Sequence, residues 1–516
     1  MIDATDSAVR KGIINTSEDL SDIVGTGYME KNSPLMPVGS TSARGKDRFS
    51  SVFLACVIAS LASLNFGYTL GYTSPTQTEL QDSHRSFSVT KDEFSLFGAF
   101  IAVGAIIGSI VGGYSVDKFG RKTTIICTSL LYTPGWCLIS YADTVSMLYA
   151  GRILTGVAVG MSSLAVPVYI AEIASARLRG GLGSVNQLAV TIGIFLAYLV
   201  GFSLSWQWTA MVPVFLIVLM VCAMFFMPET PRWLLANNQR HTAIKELEWL
   251  RGPDYDVEEE CFEIESNLDQ QERVSFKDFR TPGLYRPLII GAMMMVFQQF
   301  CGINAVLFYD AKIFSTAGFK DAEGVSLAVG GTQVIATGVA CLLVDKSGRR
   351  ILLIIGGIVM FACTLLLGIY YDIAKLPKDT DEKQISIFGS WSHSVALSNI
   401  SWLAVLCVLV YIIVFSLGWG PLPWLLMSEI FPPRARGLAS GIVTLINWSF
   451  VFVVTYSFDS MTRTFYEQGT FWFFSGFSLL SFLFVLFFVP ETKGKTLEEI
   501  EQIFMKSGMR IKKSVS

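Results

Sequence analysis

Along most of this chain, runs of about 20 apolar residues alternate with short polar stretches. Twelve runs can be marked, at about 50–71, 94–114, 123–141, 147–170, 183–203, 208–227, 286–308, 324–344, 351–371, 400–426, 437–458 and 470–489. A helix of roughly 20 residues crosses about 30 Å of hydrocarbon. Lipid offers no partner for a free backbone N–H or C=O, so each run is expected to be helical. The polar stretches carry a second pattern. "VDKFGRK" at 116–122 returns as "VDKSGRR" at 344–350, "AEIASARLRG" at 171–180 as "SEIFPPRARG" at 428–437, and "MPET" at 227–230 as "VPET" at 489–492. Three motifs thus recur in one order, at the same end of the second, fourth and sixth run of each half, which is the mark of a duplicated unit. The expected architecture is an all-α membrane protein with twelve transmembrane helices in two pseudo-symmetric halves of six. Its parts would be a tail at 1–49, a six-helix bundle at 50–227, a linker at 228–285, a second bundle at 286–489 and a tail at 490–516.

Composition supports this reading. With 52% hydrophobic and 16% charged residues in 516, a soluble fold has no way to hide so much apolar surface. The net charge of −3 and the lack of a basic face speak against nucleic acid as a partner; membrane lipid is the expected surrounding. His84, His241 and His393 lie in expected loops without triad or ligand spacing, so an enzyme is not expected, nor is a cofactor. No glycine-rich phosphate loop with a lysine appears, which argues against pumping driven by ATP. Eight of nine cysteines fall in apolar runs and Cys261 in a charged loop, as packing residues rather than a disulfide framework. The first 49 residues are polar, so no cleavable signal is expected and the first run inserts the chain.

Lys and Arg set the orientation. Lys118, Arg121 and Lys122, Arg177 and Arg179, Lys346, Arg349 and Arg350, and Arg434 and Arg436 share one side, which the positive-inside rule makes cytoplasmic. Twelve crossings then place both termini in the cytoplasm. The loop at 372–398 on the other side holds Lys375, Lys378 and Lys383, but it is longer and also acidic. Acidic residues contribute little to that rule, yet they recur here beside the basic ones. Arg121, Glu172, Arg179, Asp345, Arg349, Arg350, Glu429 and Arg436 are therefore expected to form a gate, with ion pairs between the halves made in the outward-facing state and broken in the inward-facing one. Exposed pairs contribute only about 0–1 kcal/mol each, which suits a gate that reopens. In the linker, Ile244, Leu247 and Leu250, then Phe262 and Leu268, have near-helical spacing and predict short amphipathic helices beneath the bundle.

Seven motifs, "DKFGRK", "GRILTG" at 151–156, "PETPRWLL" at 228–235, "QQFCGINAVLFY" at 298–309, "DKSGRR", "GWGPLPW" at 418–424 and "PETKGKTLEEIE" at 490–501, resemble in order those of the sugar-porter family of the major facilitator superfamily. Among its members the chain resembles the facilitative glucose transporters. A short first external loop (about 72–93), a long ninth (372–399) and the "GWGPxPW" pattern are similar to the branch of endomembrane glucose transporters and insect trehalose transporters. The resemblance implies the major facilitator fold and facilitative, alternating-access movement of a hexose such as glucose, or of a disaccharide, across a plasma or endosomal/lysosomal membrane. It implies sugar contacts at Gln187, Gln298, Gln299, Asn304, Gln333, Trp424 and Asn447, with Phe415 beside Trp424. Amides suit hydroxyls because each both donates and accepts, whereas buried charges cost more to desolvate. Pro421 and Pro423 are expected to break span ten, and Gly302 to ease a break in span seven. Ser416 and Val451 stand where some glucose transporters carry a carboxylate and an amide, which leaves the sugar open. Thr69 stands where proton-coupled porters usually carry an Asp, so uniport is expected over symport; a non-transporting sensor is the remaining alternative. Asn399 forms a glycosylation sequon close to the membrane on the external side.

Overall fold

A computed structural model describes residues 49–82, 87–175, 179–269, 276–316, 322–374, 401–432, 435–493, 495 and 497–506. The tail at 1–48, the long ninth loop with Asn399, and the side chains of Arg179 and Asp345 lie outside the described residues.

The first half comprises α1 (Phe49–Gly71), α2 (Thr73–Leu80), α3 (Lys91–Phe119), α4 (Arg121–Cys127), α5 (Ser129–Ser140), α6 (Val145–Ile173), α7 (Arg179–Ser203) and α8 (Trp206–Phe225). A connecting segment carries α9 (Pro231–Ala236), α10 (Arg240–Arg251) and α11 (Val257–Asp269). The second half comprises α12 (Pro282–Phe300), α13 (Ile303–Thr316), α14 (Ala322–Ser347), α15 (Arg349–Ala374), α16 (Ser401–Val414), α17 (Leu422–Ile430) and α18 (Arg436–Phe488), followed by α19 (Leu497–Lys506).

Ten described helical stretches are long and apolar enough to cross a membrane. They account for eleven of the twelve expected runs. The third run is formed by α4 and α5, which join through Thr128 with helical backbone angles (φ −59°, ψ −27°), and α18 carries the eleventh and twelfth runs through a kink at Tyr466 (φ 59°, ψ 177°). Helices outrun their apolar stretches where polar residues cap them. α3 starts three residues before its run, where Thr90 and Glu93 form a reciprocal capping box.

Within the first half α3 packs on α6 and α1 on α7; in the second, α15 packs on α18. Small residues allow this closeness. A Cβ on Gly104 would overlap Ile153 O, and one on Gly160 would overlap Ala105 O. The halves meet where α3 runs along α18, α7 along α14, and α13 against α2.

The connecting helices are amphipathic, with one correction to the expected face. Leu247 and Leu250 are buried, but Phe262 is 70% exposed. The packed face of α11 is Val257, Cys261, Ile264 and Leu268, spaced four, three and four apart, which puts the adjacent Phe262 about 100° off that stripe. Cys261 is thus a buried helical residue, and burial pushes its thiol up to about 11. Arg251 ties this layer to the bundle. It donates to Ile173 O at the end of α6 (2.9 Å) and twice to Glu260 (2.8 and 3.0 Å).

Candidate functional site

Span seven is broken where its polar residues lie. α12 ends at Phe300 with Cys301 as its cap, Gly302 takes φ +95°, and α13 begins at Ile303. A Cβ at Gly302 would lie 2.7 Å from the Phe474 ring, so both conformation and space demand glycine. The break turns the last turn of α12 and the first turn of α13 toward one another. Asn304 Nδ2 donates to Gln299 Oε1. Gln299 Nε2 donates to Asn447 Oδ1 at 2.6 Å and, more weakly, to Gln298 Oε1 at 3.3 Å. Gln298 Nε2 donates to the carbonyls of Trp419 (2.7 Å) and Gly420 (3.0 Å). All four amides are buried.

Span ten is broken too. α16 passes into a π-helical stretch, Phe415–Trp419, and the chain re-enters an α-helix only after Pro421. This is where the two prolines were expected to act. Ser416 is buried in that stretch, and its hydroxyl has no partner among the described residues. Phe415 stacks on Tyr411.

Of the seven residues implied as sugar contacts, the structure therefore joins Gln298, Gln299, Asn304 and Asn447 in one network and leaves three outside it. Gln333, on α14, is buried with its Oε1 unpaired among the described residues. Gln187 is half-buried on α7, the helix that packs along α14. Trp424 is half-buried on α17, against the main core. Sequence reasoning missed Trp448. It follows Asn447 directly, its ring meets Phe66 of α1 at 5.9 Å, and its buried indole N–H has no partner among the described residues. A buried tryptophan usually finds a hydrogen-bond acceptor, and that habit was the available signal.

Arg152 was also missed, although it lies in the quoted "GRILTG". Its side chain is wholly buried beside Thr69. It donates to Thr69 O (3.0 Å) and Thr73 Oγ1 (2.7 Å) and lies over the rings of Phe97 (4.2 Å) and Tyr72 (5.0 Å). These partners are neutral, and Thr69 itself spends its hydroxyl on Asn65 O at 2.7 Å. Aromatic faces and a helical carbonyl thus stand where a carboxylate would otherwise offset the buried cation.

At the end of the bundle carrying the repeated basic motifs, one arrangement is built twice. Gly120 (φ +93°) precedes α4 and cannot cap it with a side chain; Glu229 does so, accepting from the backbone N–H of Arg121 (3.0 Å) and Lys122 (3.1 Å). In the other half Gly348 (φ +87°) precedes α15, and Glu491 accepts from the N–H of Arg349 (3.1 Å) and Arg350 (3.2 Å). Burial pushes the Glu229 carboxyl above its ordinary value, against the pull of those N–H groups and of Arg121. Arg121 pairs with Glu172 (2.9 Å) and donates to Val116 O (3.2 Å); Arg349 pairs with Glu429 (3.2 Å) and donates to Val344 O (3.4 Å). Lys122 Nζ reaches Phe225 O (2.9 Å), and Arg350 reaches Leu486 O (2.7 Å). Arg436 donates to Phe431 O at 3.4 Å. Each of these contacts lies within one half. A weak thiol contact, Cys341 Sγ to Ser184 O at 3.5 Å, crosses between halves at this end.

The opposite end is tied across the halves. Arg463 of α18 pairs with Asp92 of α3 (2.6 Å), and Ser95 Oγ donates to the buried Asp459. Tyr309 stacks on Phe458 (4.9 Å) and meets Phe94 edge-on (6.4 Å), and Tyr198 OH donates to Leu307 O (2.7 Å).

Comparison with known proteins places this geometry. The family described as "Sugar (and other) transporter" matches residues 55–504. Solute carrier family 2, facilitated glucose transporter member 8 of Bos taurus is 40% identical over 481 residues, which are 92% of this chain and 98% of that one. The facilitated trehalose transporter Tret1 of Apis mellifera ligustica is 34% identical over 499 residues, 95% of this chain and 93% of that one. Among solved structures, the inward open conformation of the xylose transporter XylE from E. coli superposes with a TM-score of 0.71 at 28% identity, covering 88% of this chain and 99% of that one.

Proposed function

Because the chain belongs to the sugar (and other) transporter family and is a multi-pass membrane carrier rather than an enzyme, we propose that it moves a hexose such as glucose down its gradient by alternating access. The observation that carries this reading is the buried amide network at the two helix breaks. Gln298, Gln299, Asn304 and Asn447 bond one another there, while Gln333 Oε1, Ser416 Oγ and the Trp448 indole N–H are buried with no partner among the described residues. An unpaired buried polar group costs about 1–3 kcal/mol. A sugar bearing hydroxyls on every side supplies both donors and acceptors to such groups. Gln187 and Trp424, on α7 and α17, would complete the site, Trp424 offering its ring to the C–H face of the sugar.

The neutral surroundings of Arg152 and Thr69 favour uniport over proton symport, since no carboxylate is among the described partners of the buried cation. The contacts across the halves at the non-basic end describe a carrier shut on that side. By the charge rule the basic end is cytoplasmic, as are both termini, and the carrier resides in a plasma or endosomal membrane. Arg121, Glu172, Arg179, Asp345, Arg349, Arg350, Glu429 and Arg436 form the gate on the cytoplasmic side. In the state described here Glu172 and Glu429 hold arginines of their own halves, and they exchange partners when that side closes. Replacing Glu429 by Gln slows uptake without preventing insertion; unchanged uptake kinetics would remove it from the gate. A disaccharide is the second reading. It is supported by the trehalose transporters among the relatives and by Ser416 and Val451, which leave more room and fewer polar contacts in the site.

The test is uptake by proteoliposomes of labelled glucose, fructose, galactose and trehalose, with and without an imposed pH gradient. Saturable, stereoselective uptake that stops at equilibrium is expected for one of them. Accumulation against the sugar gradient when the pH gradient is imposed overturns uniport, and absence of saturable uptake for every sugar overturns the function.

A further inference from the structure

Both amide hydrogens of Gln298 are spent on span ten, at 2.7 Å from Trp419 O and 3.0 Å from Gly420 O. Those carbonyls sit at the break. Pro421 and Pro423 have no N–H, so the carbonyls of Leu417 and Trp419 lack the donor four residues ahead that a regular helix supplies. The turn before them is widened, with Gly420 N reaching back to Phe415 O at 2.7 Å. Trp419 is wholly buried, its indole N–H held by Leu353 O at 3.0 Å, so water is not at hand to satisfy its carbonyl. Gln298 closes the break from a neighbouring helix.

The same amide is assigned to substrate in the function proposed above, and it has no hydrogen to spare. A sugar hydroxyl that accepts from Gln298 Nε2 takes that hydrogen from one of the two carbonyls, and its own single O–H cannot serve both. We propose that Gln298 is a substrate-released clasp on span ten. Occupancy of the site withdraws its amide from Trp419 and Gly420, and the loosened break frees α17 to move. α17 carries Trp424 at one end and Glu429 at the other, and Glu429 holds Arg349 and Thr492 at the basic end. The clasp thus makes sugar binding a condition for movement at the gate. Gln298 is a positioning residue in this role, and the inference rests on the sugar-transport reading.

Two measurements decide it. The first compares, in glucose-loaded proteoliposomes, the maximal rate of exchange, with sugar on both sides, and that of net efflux. Wild type should exchange several-fold faster than it empties, because the unloaded carrier reorients with its clasp shut. In Gln298→Met, which keeps length and loses the amide, that ratio should fall toward unity even as the half-saturation concentration rises. A raised half-saturation concentration with the wild-type ratio makes Gln298 a sugar contact only and overturns the clasp. The second measures hydrogen exchange of residues 415–425 in nanodiscs. Exchange should be faster in unliganded Gln298→Met than in unliganded wild type, and saturating glucose should speed it in wild type. If exchange is equal in the two unliganded proteins, or if bound glucose leaves wild type unchanged, the proposal fails; the wild-type arm stands even where the variant does not fold. If no sugar gives saturable flux, the transport reading falls by itself, and the unliganded comparison still reports whether the amide holds the break.

Discussion

The two ends of this bundle are held together by opposite rules. At the basic end, carboxylates tie helices of the same half: Glu229 and Glu172 hold the start of α4, and Glu491 and Glu429 hold the start of α15. At the other end, Arg463–Asp92 and Ser95–Asp459 tie one half to the other. The difference explains the repetition in the chain. A contact within a half is needed once in each half, so its residues appear twice in sequence. The contact of α3 with α18 has a structural counterpart in that of α7 with α14, but the polar pairs that join α3 to α18 lie outside the repeated motifs. Repeated charge therefore marks what keeps a half rigid, and unrepeated polar residues mark where the halves part.

Substitutions at the two ends should accordingly fail in different ways. The largest effect is expected for Gly120→Ala. Its φ of +93° and ψ of 168° fall in a region essentially reserved for glycine, at a cost of about 1–3 kcal/mol, and the new methyl group would also overlap Glu229 Oε2. Gly348→Ala meets its carboxylate only at 3.0 Å and should cost less. Thermal unfolding of the detergent-solubilised variants should rank them in that order, and equal losses would break the view that the twin caps are built alike but fitted differently. Next comes Glu491→Ala, which removes the acceptor for the N–H groups of Arg349, Arg350, Thr492 and Lys493. About 2 kcal/mol of stability should be lost, as for a strong charged cap.

At the opposite end the expected loss is of conformational balance rather than of stability. Asp459→Ala leaves Ser95 without its partner across the halves, and at the roughly 1–3 kcal/mol of a buried hydrogen bond the open state there should gain about tenfold. Faster hydrogen exchange in residues 91–100 and 455–463, with an unchanged melting temperature, would show it; a lowered melting temperature with unchanged exchange would erase the distinction between the ends. Arg463→Gln should have the smallest effect, about twofold or less in the same exchange, since the pair with Asp92 is exposed.

Much of the fold was legible because lipid restricts the chain so severely. Apolar length marks a crossing, and the duplicated motifs mark the boundary between halves. The breaks in spans seven and ten were legible from Gly302, Pro421 and Pro423, which act through their own backbone chemistry. Phe262 was placed on the wrong face because apolar spacing within a short segment fits more than one helical phase, and only contact with α9 and α10 selects the stripe through Cys261. Arg152 passed unremarked because its partners are backbone, hydroxyl and rings, none of which forms a motif with it along the chain.

The amide residues of the site were also legible, but what their hydrogens do was not. By itself the sequence determined which stretches cross a membrane, that the chain is doubled, and that uncharged polar groups line its middle, because these follow from local hydropathy, repetition and residue type. Only the tertiary structure decided that Glu229 and Glu491 cap helices more than a hundred residues away, that the unrepeated end is the one closed between the halves, and that Gln298 holds the carbonyls of a broken helix. A hydrogen bond depends on distance and direction between atoms, and for partners remote along the chain those are set by packing alone.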